Sequence, residues 1–200
     1  ALYNAKNQGK SKYAVFTETM RVAAIRRLQL ETDLRRALDG EEFQVYYQPI
    51  VELDSDRIVG VEALLRWQNL QQEWISPAEF IPVAEEMGII EPLGEWVLYE
   101  ACQQLYRWQQ YDPSFMISVN LSGKQLIPGL VDCVDEILRA TGIAGKSLKL
   151  EITETALMED VERAIAILNE LKQRQISLCI DDFGTGYCSL NYLHRFPFDV

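Results

Sequence analysis

Leu148-Lys149-Leu150-Glu151-Ile152-Thr153-Glu154, residues 148–154, decides how this chain is read. Its first six residues alternate aliphatic with polar side chains, the period-2 pattern of a strand with two unlike faces. Glu151 and Thr153 fall on one face and Ile152 and Glu154 on the other. A helical pattern follows from Val161 to Gln173, and a second apolar run, Ile176 to Ile180, then gives way to Asp181-Asp182-Phe183-Gly184-Thr185-Gly186. Upstream, the strand Phe115 to Asn120 closes on Val119-Asn120-Leu121-Ser122 and leads into a helix from Val131 to Thr141. Glu151 lies 31 residues after Asn120, and Asp181 lies 30 after Glu151. An interval of about 30 residues is one strand-helix-strand unit. The spacing therefore brings all three groups to the same end of neighbouring parallel strands.

Further upstream, Phe43 to Leu53 and Ile58 to Trp67 are rich in Val, Tyr and Ile and are separated by the turn Asp54-Ser55-Asp56. So short a link closes a hairpin but cannot hold a crossover, which makes this first pair antiparallel. Helices are expected at Pro77 to Met87, with Ser76 as N-cap and Pro in the first turn, and at Gly94 to Gln110. A short helix is expected near Ser189 to His194. The fold class is α/β: five strands and the hint of a sixth, an incomplete TIM-like (β/α) barrel whose first strand is antiparallel. Val119, Leu150 and Ile180 are expected to point into it.

Two hundred residues with 48% hydrophobic content bury a core of their own. A net charge of −11 argues against binding DNA or RNA, which relies on Lys and Arg to displace counterions. Cys102, Cys133, Cys179 and Cys188 lack paired metal-ligand spacing and read as reduced core thiols of a cytoplasmic protein. No stretch is long and apolar enough to span a membrane.

The chemistry lies at the strand ends. In Glu62-Ala63-Leu64-Leu65-Arg66, Glu62, Leu64 and Arg66 share a face. Glu62 suits a metal, and Arg66 offers a fork to a phosphate oxygen; a mutual Glu-Arg surface pair is the plainer reading. Asn120 offers a neutral oxygen ligand or simply a turn residue. Asp181 and Asp182 repel each other unless a cation compensates, and the two glycines after them allow close approach to a ligand. A helix N-cap at Asp182 is a competing role that could coexist with ligation. Glu154 points away from Glu151 and could brace a neighbouring loop. Oxygen ligands gathered at strand ends suit a hard divalent metal and phosphate-ester chemistry.

Taken together, these motifs resemble the EAL domain of cyclic di-GMP phosphodiesterases. Glu62-Ala63-Leu64 matches the motif that names the family. Tyr47-Gln48-Pro49-Ile50, Phe80-Ile81-Pro82-Val83-Ala84-Glu85, Val119-Asn120-Leu121-Ser122, Glu151-Ile152-Thr153-Glu154 and Asp181-Asp182-Phe183-Gly184-Thr185-Gly186 match its other signatures, and Cys188 stands where Ser is usual. The resemblance implies metal-dependent hydrolysis of cyclic di-GMP to linear pGpG at the strand ends of a TIM-like barrel. It implies two Mg²⁺ or Mn²⁺ ions held by Glu62, Asn120, Glu151, Asp181 and Asp182, with Gln48 and Arg66 on the nucleotide. Glu62, Glu154 and Asp182 then form the catalytic group, Glu154 by positioning the loop after Asp182. A non-catalytic cyclic di-GMP sensor is the alternative.

The ends carry further expectations. Residues 1–16, Ala1-Leu2-Tyr3-Asn4-Ala5-Lys6 through Phe16 with a turn at Gly9, resemble the tail of a GGDEF (diguanylate cyclase) domain. Residues 17–37 read as a linking helix, N-capped by Thr17, with Val22, Ile25, Leu28, Leu34 and Leu38 as its apolar stripe. It is either a signalling helix between domains or the first packed helix of the next one. Residues 38–200 correspond to the N-terminal part of an EAL domain. The family's later Lys-x-Asp, a further Glu and a Gln-Gly segment are absent, so this chain is expected to be inactive and poorly stable alone. The partners implied are cyclic di-GMP, GGDEF and sensor domains in the same protein, which could be membrane-anchored, and a second copy in a homodimer.

Overall fold

The computed structural model describes residues 17–158, 160–182, 184 and 194–199. The remnant expected at 1–16, most of the short helix expected near 189–194, and Cys188 lie outside the described residues. Helix α1 (Glu18–Asp39) opens the described chain, with the Thr17 hydroxyl accepting from the Met20 N–H at 3.3 Å. Strands β1 (Phe43–Glu52) and β2 (Arg57–Gln68) follow as an antiparallel pair, with an irregularity at Ile50/Val51. A two-residue strand β3 (Trp74–Ile75) adds to the end of β2. Then come α2 (Pro77–Met87), α3 (Ile90–Gln109), β4 (Met116–Leu121), α4 (Gly129–Thr141), β5 (Leu148–Thr153), a single turn α5 (Glu154–Leu157), α6 (Val161–Gln173) and β6 (Ser177–Asp181). From β2 onward the main path β2-β4-β5-β6 is parallel, with β1 antiparallel at its side. Among the described residues β1 and β6 are the outer strands, so the sheet is open there.

One face of this sheet carries Val61, Ala63, Ile117, Val119, Leu121, Leu148, Leu150, Ile152 and Leu178. They are buried against α3, α4 and α6 in the main core. Val119 and Leu150 therefore do not point into a barrel interior, and Ile180 packs against the same helix-covered core. The expectation placed the aliphatic residues on the wrong side. In a (β/α) architecture both faces of a strand are covered, and here the aliphatic face meets the helices while the polar residues of the alternation meet the other side.

A smaller core joins Leu30, Leu34 and Ala37 of α1 to Phe43, Trp67, Phe80 and Leu93. Glu42 ties it together, accepting from the Trp67 indole N–H at 3.1 Å and from Arg36 Nε at 3.0 Å. The α1 stripe differs from expectation. Leu34 is buried, but Val22, Ile25 and Leu28 are 58%, 55% and 63% exposed, because only the C-terminal half of the helix rests on the domain. The N-terminal half is tied to α2 through the ion pairs Arg26–Glu79 and Arg27–Glu86. Ser76 precedes α2 without accepting a capping hydrogen bond, so Pro77 alone marks that start. Helix α3 begins four residues earlier than the pattern from Gly94 suggests.

Candidate active site

The parallel register decides which side chains meet. Gln48 pairs with Glu62, Glu62 with Ser118, Asn120 with Glu151, Glu151 with Cys179, and Thr153 with Asp181. Paired residues share a sheet face, so Gln48, Glu62, Asn120, Glu151 and Asp181 all lie on the face opposite the helices. Glu62 stands level with Ser118, Asn120 and Glu151 one step of that face further on, and Asp181 one step beyond them. Such a stagger accompanies strands that tilt across a sheet. It brings the last residues of successive strands around one mouth.

Within that mouth the Asn120 amide Nδ2 donates to Glu62 Oε1 at 2.7 Å. Glu151 is half-buried, and its carboxyl is pushed above the usual range. Burial is the main cause; the Ser118 hydrogen bond and Lys149 oppose it, while the carboxylates of Glu62 and Asp181 reinforce it. The Asp181 side chain accepts from the Asp182 N–H at 2.9 Å, and Asp182 adopts a left-handed backbone with φ 53°. That conformation is tolerated by Asp better than by most residues and turns the chain sharply at the end of β6. Among the described residues, no three carboxylate, His or Cys side chains stand close enough to hold an ion between them. The donor chemistry nevertheless fits a hard divalent cation: two carboxylates raise the charging energy of a third, and an amide completes an all-oxygen set.

Glu154 is the first residue of α5, just past the end of β5, so the strand alternation expected to set it opposite Glu151 does not govern it. It is only 2% exposed, and its Oε2 accepts the Gly184 N–H at 3.1 Å. The carboxylate thus reaches the loop two residues past Asp182. Arg66, at the end of β2, donates one N–H to the Leu65 carbonyl at 2.9 Å and holds its guanidinium 5.8 Å from the Tyr46 ring centre. No Glu62–Arg66 ion pair is formed among the described residues. Gln48 is exposed beside Glu62.

These ends open onto a cavity of about 430 Å³ whose walls include Leu64, Arg66, Glu85, Asn120, Ser122 and Glu151. Its size is that of a small-molecule site. Two of its supporting residues, Ser118 and Gln125, escape the motif reading, and a third, Glu85, closes a quoted signature without a role assigned to it. Ser118 is buried and bonded to Glu151; its place two residues before Asn120, on the same face, is the signal that marks it. Glu85 accepts from the Ser122 hydroxyl at 2.6 Å, and Gln125 accepts from the Ser122 N–H at 3.0 Å. Ser122-x-x-Gln125 is a capping box, legible as such in the sequence.

Comparison with known proteins places this geometry. The EAL domain model matches residues 31–200. The bifunctional diguanylate cyclase/cyclic di-GMP phosphodiesterase MucR of Pseudomonas aeruginosa is 43% identical over 199 residues, covering 98% of this chain and 29% of that protein. The cyclic di-GMP phosphodiesterase PdeR of Escherichia coli is 34% identical over 201 residues, covering 100% of this chain and 30% of that protein. The chain thus spans less than a third of the length of these relatives. Among solved structures, the MucR phosphodiesterase in complex with c-di-GMP superposes with a TM-score of 0.80 at 43% identity, covering 85% of this chain and 70% of that one. The FimX EAL domain of Pseudomonas aeruginosa bound to c-di-GMP gives 0.75 at 27% identity, covering 84% of this chain and 68% of that one. Its mixed α/β sheet is the one these structures share, and with the family model matched across most of its length the chain belongs to the EAL domain family.

Proposed function

We propose that this chain carries the strand-end site of a phosphodiesterase that opens one phosphodiester bond of cyclic di-GMP to give linear pGpG. One observation carries the reading: Glu62, Asn120, Glu151 and Asp181 lie on one sheet face at the same end of adjoining strands, with Glu62 and Asn120 already hydrogen-bonded. The names of the relatives and the nucleotide in the matched structures supply the substrate.

In this reading Glu62, Asn120, Glu151, Asp181 and Asp182 hold two Mg²⁺ or Mn²⁺ ions. When bound, such ions lower the pKa of a water and offset charge on the phosphate. The residues of the chain do the rest. Asn120 turns its Nδ2 to Glu62, which leaves its Oδ1 for a cation and fixes which Glu62 oxygen stays available. Arg66 spends one N–H on Leu65 and keeps the others for a phosphate oxygen. Gln48, in register with Glu62, presents an amide to the nucleotide. Glu154 holds Gly184 and so fixes the path of the loop that starts at Asp182.

We extend the proposal to the organisation of the protein. Residues 1–16 are read as the end of a GGDEF domain and α1 as the link to the EAL domain. The match to a bifunctional cyclase/phosphodiesterase along 98% of the chain supports this, as does a family match that begins only at residue 31. Among the described residues no helix is long and apolar enough to cross a membrane.

The test is an assay of the whole protein with cyclic di-GMP and Mg²⁺ or Mn²⁺, followed by chromatography for pGpG. Metal-dependent pGpG supports hydrolysis. Saturable nucleotide binding without pGpG would make the site a sensor instead.

A further inference from the structure

The turn that follows Asn120 is held by two helices. From α2, Glu85 Oε1 accepts the Ser122 hydroxyl at 2.6 Å, a charge-assisted hydrogen bond. The same hydroxyl accepts the Lys124 N–H at 3.2 Å, so Ser122 is engaged as donor and acceptor together. From α3, Gly94 presses on the side chain of Gln125, which is only 5% exposed. A Cβ on Gly94 would stand 1.8 Å from Gln125 Nε2. Gln125 in turn accepts the Ser122 N–H at 3.0 Å. The backbone has little freedom left between these two attachments.

Asn120 is two residues before Ser122, at the point where the β4 ladder runs out. Beyond Leu121, which pairs with Ile152, no further strand pairing holds the segment. The direction of the Asn120 amide therefore depends on where Ser122 is anchored. Glu85 differs from the strand-end carboxylates in its origin, since it comes from helix α2 and not from a strand end, and its bonded oxygen is directed at the turn.

We propose that Glu85 is a positioning residue, which holds the Ser122 hydroxyl and so aims the Asn120 amide at Glu62, without itself binding nucleotide or metal. This rests on the phosphodiesterase reading for its catalytic consequence, though not for its structural one. An acceptor at this position is what matters. The charge strengthens the bond, and a glutamine can replace it.

The experiment uses the whole protein, with cyclic di-GMP turnover measured across a Mg²⁺ titration. Glu85→Ala and Ser122→Ala should each lower kcat about tenfold and raise the Mg²⁺ concentration needed for half-maximal rate. The KM for cyclic di-GMP should stay close to that of the wild type. Glu85→Gln should recover most of the loss, because its amide oxygen accepts the same hydrogen bond. A Glu85→Ala protein with unchanged kcat and metal dependence overturns the proposal. So does a Glu85→Gln protein as impaired as Glu85→Ala, which would make Glu85 a direct participant through its charge. If Glu85→Ala does not fold, judged by its melting curve, Ser122→Ala carries the test. A second readout needs no turnover: by NMR, the Asn120 side-chain amide protons should exchange faster in metal-free Glu85→Ala than in the wild type, and equal exchange overturns the proposal. A wild-type protein that makes no pGpG sinks the functional reading, and the exchange measurement then decides the role of Glu85 by itself.

Discussion

The Asn120 amide and the Glu62 carboxylate meet across 2.7 Å and join β4 to β2 at the open end of the sheet. A carboxylate that accepts from an amide keeps one oxygen committed and the other free, so the bond selects a geometry for Glu62 before any cation arrives. Replacing Asn120 by Ala removes that selection with little loss of packing, since the residue is exposed. We expect Asn120→Ala to lower phosphodiesterase activity by at least about 10- to 100-fold, since it removes both a proposed neutral ligand and the group that orients Glu62. Its melting temperature should stay near that of the wild type. Unchanged kinetics would show that the bond is incidental.

Glu154 behaves differently because it is buried. Its carboxylate accepts from Gly184, and removing it leaves that N–H without this acceptor. Glu154→Ala should destabilise the protein by about 1–3 kcal/mol and speed hydrogen exchange at the Gly184 amide. Glu154→Gln should lose less, since an amide oxygen accepts the same bond. Exchange at Gly184 that is insensitive to either substitution would remove the loop-bracing role.

Gly94 and Gln125 are coupled by shape. The Cβ of Gly94→Ala would overlap the Gln125 amide and force it aside, at about 1–3 kcal/mol for overpacking. Shortening the partner as well, in Gly94→Ala/Gln125→Ala, should recover part of that loss. The double-mutant cycle should therefore be non-additive. Additive melting data would mean that a Cβ introduced at Gly94 does not press on the Gln125 amide in solution.

Glu151 links pH to stability with a sign opposite to that of an ordinary paired carboxylate. Its raised pKa means that the folded protein holds this proton more tightly than the unfolded chain does. Stability then falls as pH rises from the unfolded value, 4.5, through the folded one, and the penalty is fully present above it. Glu151→Gln should therefore raise the melting temperature of the metal-free protein at neutral pH and flatten its pH dependence. The same substitution should lower turnover, since it removes a proposed ligand. Added Mg²⁺ should raise the melting temperature of the wild type more than that of Glu151→Gln. A destabilised Glu151→Gln protein at neutral pH, without metal, would contradict the assignment of its charge as unfavourable.

Much of this was legible in the chain because local and long-range signals agreed. The alternation in Leu148 to Thr153 defined β5 to the residue, and the Thr17 cap opened α1 where it stood. The spacing of Asn120, Glu151 and Asp181 predicted their common sheet end, since a strand-helix-strand unit has nearly fixed length. Other features depend on what packs against them, which period alone does not reveal. Val119 and Leu150 lie on the helix-covered face and not in a barrel interior, because alternation gives two faces without saying which one meets helices. The α1 stripe has the spacing of one surface, although Leu34 is buried against the domain and Val22, Ile25 and Leu28 are exposed. Strand β3 is only two residues long and has no periodicity to detect. Glu85 and Gln125 acquire their roles from partners 37 and 3 residues away, Ser122 in both cases, and only the second spacing is a recognisable motif.

Metal-dependent hydrolysis at Glu62 is tested by comparing the whole protein with its Glu62→Ala variant for conversion of cyclic di-GMP to pGpG, with Mn²⁺ or Mg²⁺ and with a chelator. The wild type should make pGpG only when metal is present. The variant should lose about 100-fold or more, with the melting temperature of the metal-free protein unchanged, because several kcal/mol of transition-state stabilisation by the metal go with the ligand. Turnover that survives the chelator, or a folded Glu62→Ala protein as active as the wild type, would contradict this assignment.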